Sequence, residues 1–358
     1  MLFLSEREKY DWVRYANEVI ANQKKPDDFT DIIRSNLKSA FYYYIATTLA
    51  AQGFHDQADE WLNTGTLCEE DGLFSSTFLM GFLQRHNGEM VAPAVAFKDP
   101  RPFIHFSQVP FMVQSRNHVV QDLVHSLPGF DHQIRFMDIG CGDGALTVKF
   151  LTGLLHSGKI PGVSEILLID SSPAMITLAT QNVSAAFPGV TISTECAKIQ
   201  DCSSSISRHF DVAMSSLAYH HMPVEDKRVH LSRLKPWIDH FLLFEMDANH
   251  DTPELYSPEL ALSVHQVYGR IIDHVFAHDA PVDLAIDCVD SFLMTELISI
   301  LTQPRGVRTD YHMLRTEWND LFKSTLGPEF SLRSDCTCYG DEYLEIFSMH
   351  YGREDRSA

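Results

Sequence analysis

The stretch FMDIGCGDGAL at residues 136–146 constrains the fold more than any other feature of the chain. Its apolar run is typical of a buried strand, and the run breaks at once into Gly140, Gly142 and Gly144. Glycine permits a positive φ and lets the backbone approach a ligand where a Cβ atom would collide. The stretch therefore predicts a ligand-binding turn at the carboxyl end of a strand, where α/β sheets bind their ligands.

Short apolar runs continue after this turn and alternate with helical segments. The runs are IRFMDIG, SEILLID, VTISTE, HFDVAMSS and DHFLLFEMD. Because strands that alternate with helices pair in parallel and are covered on both faces, the pattern predicts an α/β fold with a doubly wound, Rossmann-like sheet over residues 101–250. Two later runs around a Gly-Asp-Glu turn predict that residues 331–358 form a hairpin that completes this sheet.

Two helical regions flank the predicted sheet. Residues 1–100 are predicted to form an N-terminal helical domain that ends in a linker, because residues 86–102 gather Gly and Pro without an apolar period. The aromatic run at residues 41–44 is typical of helix packing. Residues 251–330 are predicted to be a helical insert that caps the substrate side of the sheet. We also consider a homodimer formed through the N-terminal helices.

Charge and cysteine content limit the classes of binding partner and the cellular compartment that we expect. The chain has 28 basic and 48 acidic residues, a net charge of −20, which repels phosphate backbones and anionic lipid. Seven cysteines, an odd number, fit a reducing compartment better than a disulfide framework. The Cys336-x-Cys338 pair and the two adjacent histidines at 220 and 221 lack the spacing of zinc ligands. We therefore expect a cytoplasmic protein with no nucleic acid, membrane or metal partner.

The acids around the glycine turn indicate which ligand it binds. Gly140-x-Gly142-x-x-Ala145 fits a dinucleotide fingerprint, so an NAD(P)-dependent oxidoreductase is one alternative. Asp138 and Asp143, however, would repel a pyrophosphate and suit a cationic amine, while Asp170 can accept hydrogen bonds from ribose hydroxyls. A ribose and an amine without phosphate describe S-adenosylmethionine. In the other interpretation, Asp138 and Asp143 only cap the following helix.

The run from Asp138 to Gly144, the following Asp170 and the segment FDVAMSSLAYHH together resemble the cofactor motifs of class I S-adenosylmethionine-dependent methyltransferases. The resemblance covers about residues 115–250. It implies S-adenosylmethionine as cofactor, with the loop after the third strand close to the adenine. The cofactor-binding residues that it implies are Asp138, Gly140, Cys141, Gly142, Gly144, Asp170, Ser171, Glu195, Cys196 and Ser215.

A longer resemblance runs from about residue 101 to residue 350. RPFIHFSQVPFMVQSRNHVV, FLLFEMDANHD and MTELISILTQPRGVRTDYHMLRTEWNDLF are similar, in order and spacing, to GRAS proteins. Plant members of that family are transcriptional regulators on a methyltransferase-like fold and typically depart from the glycine loop. Because this chain keeps the loop, the resemblance implies a bacterial-type GRAS methyltransferase. A catalytically silent GRAS-like binding or regulatory module is the alternative.

Polar residues after the fourth and fifth strands are the candidates for chemistry. Methyl transfer to a hydroxyl or an amine requires an aligned nucleophile and a base, and histidine titrates in the suitable range. The catalytic candidates are His220, His221, Glu245 and His250, although either of the first two is equally well explained as a hydrogen-bonded structural residue. The substrate-binding candidates are Tyr219, Asn249, His265, Tyr268, Glu296 and His312. SSLAYHH stands where base-modifying amino methyltransferases show an Asp/Asn-Pro-Pro-aromatic element, so we predict a small polar substrate methylated on oxygen or nitrogen.

Overall fold

The computed structural model describes residues 1–69, 72–91 and 99–354, and the chain divides into two compact units. The helical unit comprises residues 1–96, 248–312 and 341–344. The sheet unit comprises residues 97–247, 313–340 and 345–358. Part of the predicted linker, residues 92–98, and the end of the predicted hairpin segment, residues 355–358, lie outside the described residues.

The sheet unit is built on a seven-stranded sheet with the order β3-β2-β1-β4-β5-β7-β6. Strands β1 to β5 are parallel, whereas β7 runs antiparallel to β5 and to β6. The predicted fold class is confirmed, including the C-terminal hairpin. The strands are β1 Ile134–Ile139, β2 Val163–Asp170, β3 Thr191–Cys196, β4 Phe210–Ser216, β5 Ile238–Met246, β6 Phe330–Gly340 and β7 Glu345–Arg353.

Helices surround the sheet and make up most of the helical unit. In chain order they are α1 Glu6–Asn22, α2 Lys38–Ala51, α3 His55–Thr66, α4 Ser75–Arg85, α5 Arg101–Gln108, α6 Pro110–Ser126, α7 Ala145–His156, α8 Pro173–Ala186, α9 Ile199–Cys202, α10 Val224–Leu234, α11 Pro258–Ala277, α12 Val282–Cys288, α13 Met294–Thr302 and α14 Arg315–Leu326. Within the described ranges, no helix is long and apolar enough to cross a membrane.

The two units divide the chain differently from the predicted domains. We predicted one helical insert over residues 251–330, but its first part, residues 251–312, groups with the N-terminal helices, while α14 belongs to the sheet unit. The reason is the apolar face of α14, on which Trp318 and Phe322 are fully buried and join the core that contains Phe241 and Leu243 of β5. Whether the remaining insert caps a substrate stays a prediction.

The core of the helical unit confirms the expectation for the aromatic run at residues 41–44. All four side chains are buried on α2. Phe41 lies edge-on to Trp12 of α1, with ring centroids 5.2 Å apart, and also contacts Trp61 of α3 at 6.0 Å. Rings at these separations contribute packing energy beyond the area that they bury. The run therefore packs helices together.

The glycine turn follows β1, beside the point where the strand order reverses between β1 and β4. Gly140, Gly142 and Gly144 have φ values of 72°, 53° and 74°. The amides of Gly140 and Cys141 both donate to the carbonyl of Ile169, at 2.8 and 3.0 Å. A Cβ atom on Gly140 would lie 2.1 Å from the Cβ atom of Ala218. The turn thus brings the end of β1 against the residues that follow β4, at a distance that only glycine allows.

Gly140→Ala should destabilise the protein more than Gly158→Ala. Both glycines have a positive φ, 72° and 69°, but a Cβ atom at Gly158 would have no neighbour within 4 Å. The left-handed conformation alone costs an alanine about 1 to 2 kcal/mol. The contact with Ala218 should add about 1 to 3 kcal/mol through overpacking. Urea unfolding of the two variants measures the difference, and equal stabilities would contradict this packing of the turn.

Candidate active site

Asp170 connects the end of β2 to the glycine turn. Its Oδ2 atom accepts a hydrogen bond from the amide of Gly142 at 3.0 Å, and its Oδ1 atom accepts one from the amide of Ser172 at 2.8 Å. Burial raises the pKa of Asp170, and these backbone amides act in the opposite direction. Each oxygen of a carboxylate can accept a further hydrogen bond, so Asp170 can hold the turn and still receive hydroxyl donors.

Asp138 is buried near the end of β1 beneath the same turn. Its Oδ2 atom accepts a hydrogen bond from the Thr147 hydroxyl of α7, but its Oδ1 atom is buried without a hydrogen-bond partner. Burial raises the pKa of Asp138 to about 7, with the charges of Asp170 and Asp143 acting in the same direction. The Ser215 hydroxyl at the end of β4 is also buried without a partner. Buried polar atoms are normally satisfied, so these two atoms can form hydrogen bonds with a polar ligand at this edge of the sheet.

The other predicted cofactor residues lie along the same edge of the sheet. Asp170 pairs with Cys196 across β2 and β3, and Ile139 pairs with Ser215 across β1 and β4. Cys141 is buried in the turn, whereas Ser171, Glu195 and Cys196 are exposed. Because the carboxyl ends of these parallel strands are adjacent, the structure brings the predicted cofactor residues together.

Glu245 lies at the end of β5 with no exposed surface. Its Oε1 atom accepts hydrogen bonds from the backbone amides of Ala218, Tyr219 and His220, at 3.1, 3.0 and 3.3 Å. Its Oε2 atom lies 2.9 Å from the Nδ1 atom of His220. Burial acts to raise the pKa of Glu245, but the neighbouring His220 and then Lys227 outweigh it, and the pKa is lowered. Glu245 is therefore an ionised group that holds the turn after β4.

The contact with Glu245 determines that the Nδ1 nitrogen of the His220 ring is protonated. A carboxylate only accepts hydrogen bonds, so the Nδ1 atom of His220 carries a proton. The ring of His221 lies beside it, with centroids 4.2 Å apart, and is exposed. The structure therefore brings together three of the four predicted catalytic residues, with Glu245 completely buried and its carboxylate in contact with His220.

Tyr219 is a core residue, which corrects its predicted role as a substrate contact. Its ring is fully buried and packs against Phe241 and Trp318, with centroids 5.4 and 6.3 Å away. Its hydroxyl hydrogen-bonds the Nδ1 atom of His230 on α10. Burial lowers the pKa of His230 to about 3, so this histidine is neutral. Because the phenol is enclosed and already paired, it stabilises the turn from beneath.

The fourth catalytic candidate, His250, belongs to the helical unit. Its Nδ1 atom lies 3.1 Å from that of His312, and its amide donates to the His312 carbonyl at 2.9 Å. The predicted substrate residue Asn249 precedes it, and its side-chain oxygen accepts from Thr252 at 3.0 Å. His250 and His312, both completely buried, thus form a pair that joins two distant parts of the sequence.

The remaining substrate candidates also lie within the helical unit, on α11 and α13. The Tyr268 hydroxyl donates to Glu296 at 3.0 Å, and both residues are buried. His265 is buried beside the ring of Tyr43, with centroids 5.2 Å apart. Burial lowers the pKa of His265 to about 3, which keeps the imidazole neutral. The spacing of His265 and Tyr268 on one helix was correctly predicted, but both side chains are in the interior of the unit.

Sequence analysis did not identify two buried basic residues of the sheet unit. Lys227 on α10 has no exposed surface, and its Nζ atom lies 4.7 Å from the centroid of the Trp318 ring. Arg116 on α6 has a buried Nε atom without a hydrogen-bond partner. Both occur in helices that also carry other charged residues, VEDKRVHLSRL and PFMVQSRNHVVQDLVHS, so the sequence contained no signal that separates them from solvated positions.

The expectation that no metal binds stays a prediction. Within the sheet unit, His209, Asp211 and Asp239 lie close enough to share an ion. However, Asp211 lies 2.8 Å from the Nε2 atom of His132, and Asp239 lies 3.2 Å from the Nε atom of Arg353. Asp211 and Asp239 therefore already have cationic or histidine partners near the amino ends of β4 and β5.

Residues 136–238 match a family described as a methyltransferase domain. No curated protein matches the chain. Among solved structures, SCL7 from Oryza sativa aligns with 13% identity and a TM-score of 0.59, covering 81% of this chain and 93% of that chain. That likeness shows a common fold. A magnesium protoporphyrin IX methyltransferase from Synechocystis PCC 6803, solved with bound SAH, aligns with 15% identity over 78% of this chain and 96% of that chain, with a TM-score of 0.41, and supports no further conclusion.

The family match begins in β1 and ends at the start of β5, so it contains the glycine turn, Asp170 and the His220 turn. The GRAS resemblance is not tested by this match and stays a prediction. The match confirms the methyltransferase prediction made from the Asp138-to-Gly144 run, and with it the prediction that the cofactor is S-adenosylmethionine.

Proposed function

We propose that this chain transfers a methyl group from S-adenosylmethionine to an oxygen or nitrogen atom of a small polar molecule, with His220 as the base. The observation that carries the proposal is the His220–Glu245 pair, with Glu245 Oε2 2.9 Å from His220 Nδ1. His220 lies on the turn after β4. In the sheet, β4 neighbours β1, the strand that leads into the glycine turn.

The residues around the glycine turn fit S-adenosylmethionine. The unpartnered Oδ1 atom of Asp138 suits the ammonium of the methionine moiety, and Asp170 suits the ribose hydroxyls. Ser171, Glu195 and Cys196, at the ends of β2 and β3, would lie on the adenine side. When bound, the cofactor would supply a methyl group attached to a positively charged sulfur.

The protein's own contribution would be to orient the acceptor and remove its proton. His220 would accept the proton of a hydroxyl or ammonium group at Nε2, because Glu245 fixes the other ring proton on Nδ1. The ionised Glu245 then stabilises the imidazolium that forms. His221, which is exposed and lies beside His220, would contact the acceptor or pass the proton to solvent.

A small polar acceptor is supported by the charge of the protein. A net charge of −20 opposes approach of nucleic acid, and no basic cluster offsets it. From the helical unit we propose His250 as a catalytic residue and Asn249 and His312 as substrate-binding residues. Glu296 is a weaker candidate because it already accepts a hydrogen bond from Tyr268. We also propose that the protein forms a homodimer and is cytoplasmic, and that the acceptor atom is an oxygen or a nitrogen.

Binding of S-adenosylhomocysteine should weaken as the pH falls below 7. The pKa of Asp138 is about 7 in the free protein, and an ammonium beside it would lower that pKa in the complex, so the carboxylate form is the one that binds. Affinity should therefore fall by about 10- to 30-fold between pH 7.5 and pH 5.5. Calorimetry in buffers of different ionisation enthalpy should detect one proton released on binding below pH 7.

Asp138→Asn is the control for this pH dependence, because it removes the titrating group and retains the shape of the side chain. The variant should bind more weakly at pH 7.5 and lose most of the pH dependence, while titration of the ligand itself stays common to both proteins. An unchanged pH profile would show that Asp138 does not contact the amine.

Glu245→Gln should reduce turnover and leave affinity for S-adenosylhomocysteine almost unchanged. The amide group can donate to Nδ1 of His220, which would move the ring proton to Nε2 and abolish the base. We expect kcat to fall by about 10²-fold, and by about 10²- to 10⁴-fold in His220→Ala, as for loss of a general base. His156→Ala, an exposed histidine at the end of α7, is the matched control. Full activity of His220→Ala would rule out this base.

The class of substrate can be tested with labelled cofactor. After incubation of the protein and methyl-labelled S-adenosylmethionine with a cell extract, we expect label in the small-molecule fraction and none when His220→Ala replaces the natural protein. Label found only in protein or nucleic acid would contradict the small-molecule proposal. Tight cofactor binding without any labelled product would favour the silent GRAS-like module.

A further inference from the structure

The residues assigned to the cofactor leave one of its charged groups without a partner. The methionine moiety of S-adenosylmethionine carries both an ammonium and a carboxylate. The three side chains around the glycine turn, Asp138, Asp143 and Asp170, are all acids, which suit the ammonium and repel the carboxylate. A cation from elsewhere in the unit would therefore stabilise a carboxylate bound at this edge of the sheet.

Arg116 is held next to the turn by the packing of α5 and α6. Its guanidinium carbon lies 6.0 Å from the centroid of the Phe103 ring. The same ring approaches the turn, because a Cβ atom built on Gly142 would lie 3.0 Å from the Cζ atom of Phe103. The charge of Arg116 interacts with those of Asp143 and Asp138. The shared contact with Phe103 places the guanidinium near the glycine turn.

The guanidinium has hydrogen-bonding capacity that the protein does not use. Its Nε atom is buried without a partner, and among the described residues none forms a hydrogen bond or an ion pair with Arg116. Other partly buried arginines of this unit are paired, as Arg135 is with Glu165 at 2.8 Å and Arg315 with Glu345 at 2.5 Å. Removing a guanidinium from water without an acceptor is costly, and a carboxylate is the acceptor that matches its planar geometry.

We propose that Arg116 binds the carboxylate of the cofactor's methionine moiety and thereby selects the complete amino-acid form of the cofactor. The inference rests on the proposed function only in taking S-adenosylmethionine as the ligand of the glycine turn. Asp138 and Arg116 then divide the zwitterion between them, the acid binding the ammonium and the guanidinium binding the carboxylate. Arg116 is in this scheme a binding and specificity residue and takes no part in proton transfer.

The test compares S-adenosylmethionine with decarboxylated S-adenosylmethionine, which keeps the amine, the ribose and the adenine. The natural protein should bind the complete cofactor about 10- to 100-fold more tightly, the range expected for charge-assisted hydrogen bonds. Arg116→Met should lose this preference by weakening only the complete cofactor. Asp138→Asn should weaken both ligands. Arg116→Lys, which retains the charge and the fold but not the planar fork, should keep part of the preference.

Lys149→Met is the matched control, because Lys149 is an exposed cation of α7 whose charge interacts with that of Arg116. It should retain the full preference for the carboxylate, which separates a direct contact from a general loss of positive charge. Equal weakening of both ligands in Arg116→Met, or an unchanged preference, would overturn the inference and leave the proposed function intact. Failure of the natural protein to bind either ligand would instead refute the proposed function.

Discussion

The candidate site depends on hydrogen bonds that strand-end carboxylates accept from backbone amides of a neighbouring loop. Asp170 at the end of β2 holds the glycine turn after β1, and Glu245 at the end of β5 holds the turn after β4. In both cases a charged acceptor satisfies amides that lack a partner in the sheet, and such bonds are about twice as strong as those between neutral groups. One of these turns is proposed to carry the cofactor and the other the base, so the two acids set the geometry of the reaction.

The electrostatics of the sheet edge follow from the different surroundings of its acids. Glu245 is completely buried but ionised, because four donors and the nearby Lys227 compensate for lost hydration. Asp138 is equally buried but has one hydroxyl donor, and burial raises its pKa to about 7. Glu245 is thus satisfied within the protein and suits a permanent positioning role. Asp138 retains an unsatisfied oxygen, which is the property expected of a ligand-binding acid.

The fold that this chain shares with a solved structure does not by itself identify its chemistry. The likeness to SCL7 from Oryza sativa covers most of both chains, yet at 13% identity it concerns the path of the backbone only. The proposed chemistry depends on particular groups on that backbone, here the glycine turn, Asp138 and the His220–Glu245 pair. Within the helical unit, the buried His250–His312 pair joins segments separated by α11, α12 and α13.

The sequence by itself determined the sheet and the identity of the glycine turn, because short apolar runs, glycine spacing and strand-end acids are local patterns. These patterns predicted the five parallel strands and placed Asp138 and Asp170 near strand ends. Only the tertiary structure decided the surroundings of Glu245, Tyr219 and Arg116, since each depends on a neighbour brought close by folding: the β4 turn for Glu245, His230 for Tyr219, and Phe103 with the glycine turn for Arg116. It also decided that α14 belongs to the sheet unit, because a helical pattern specifies an apolar face but not the surface that buries it.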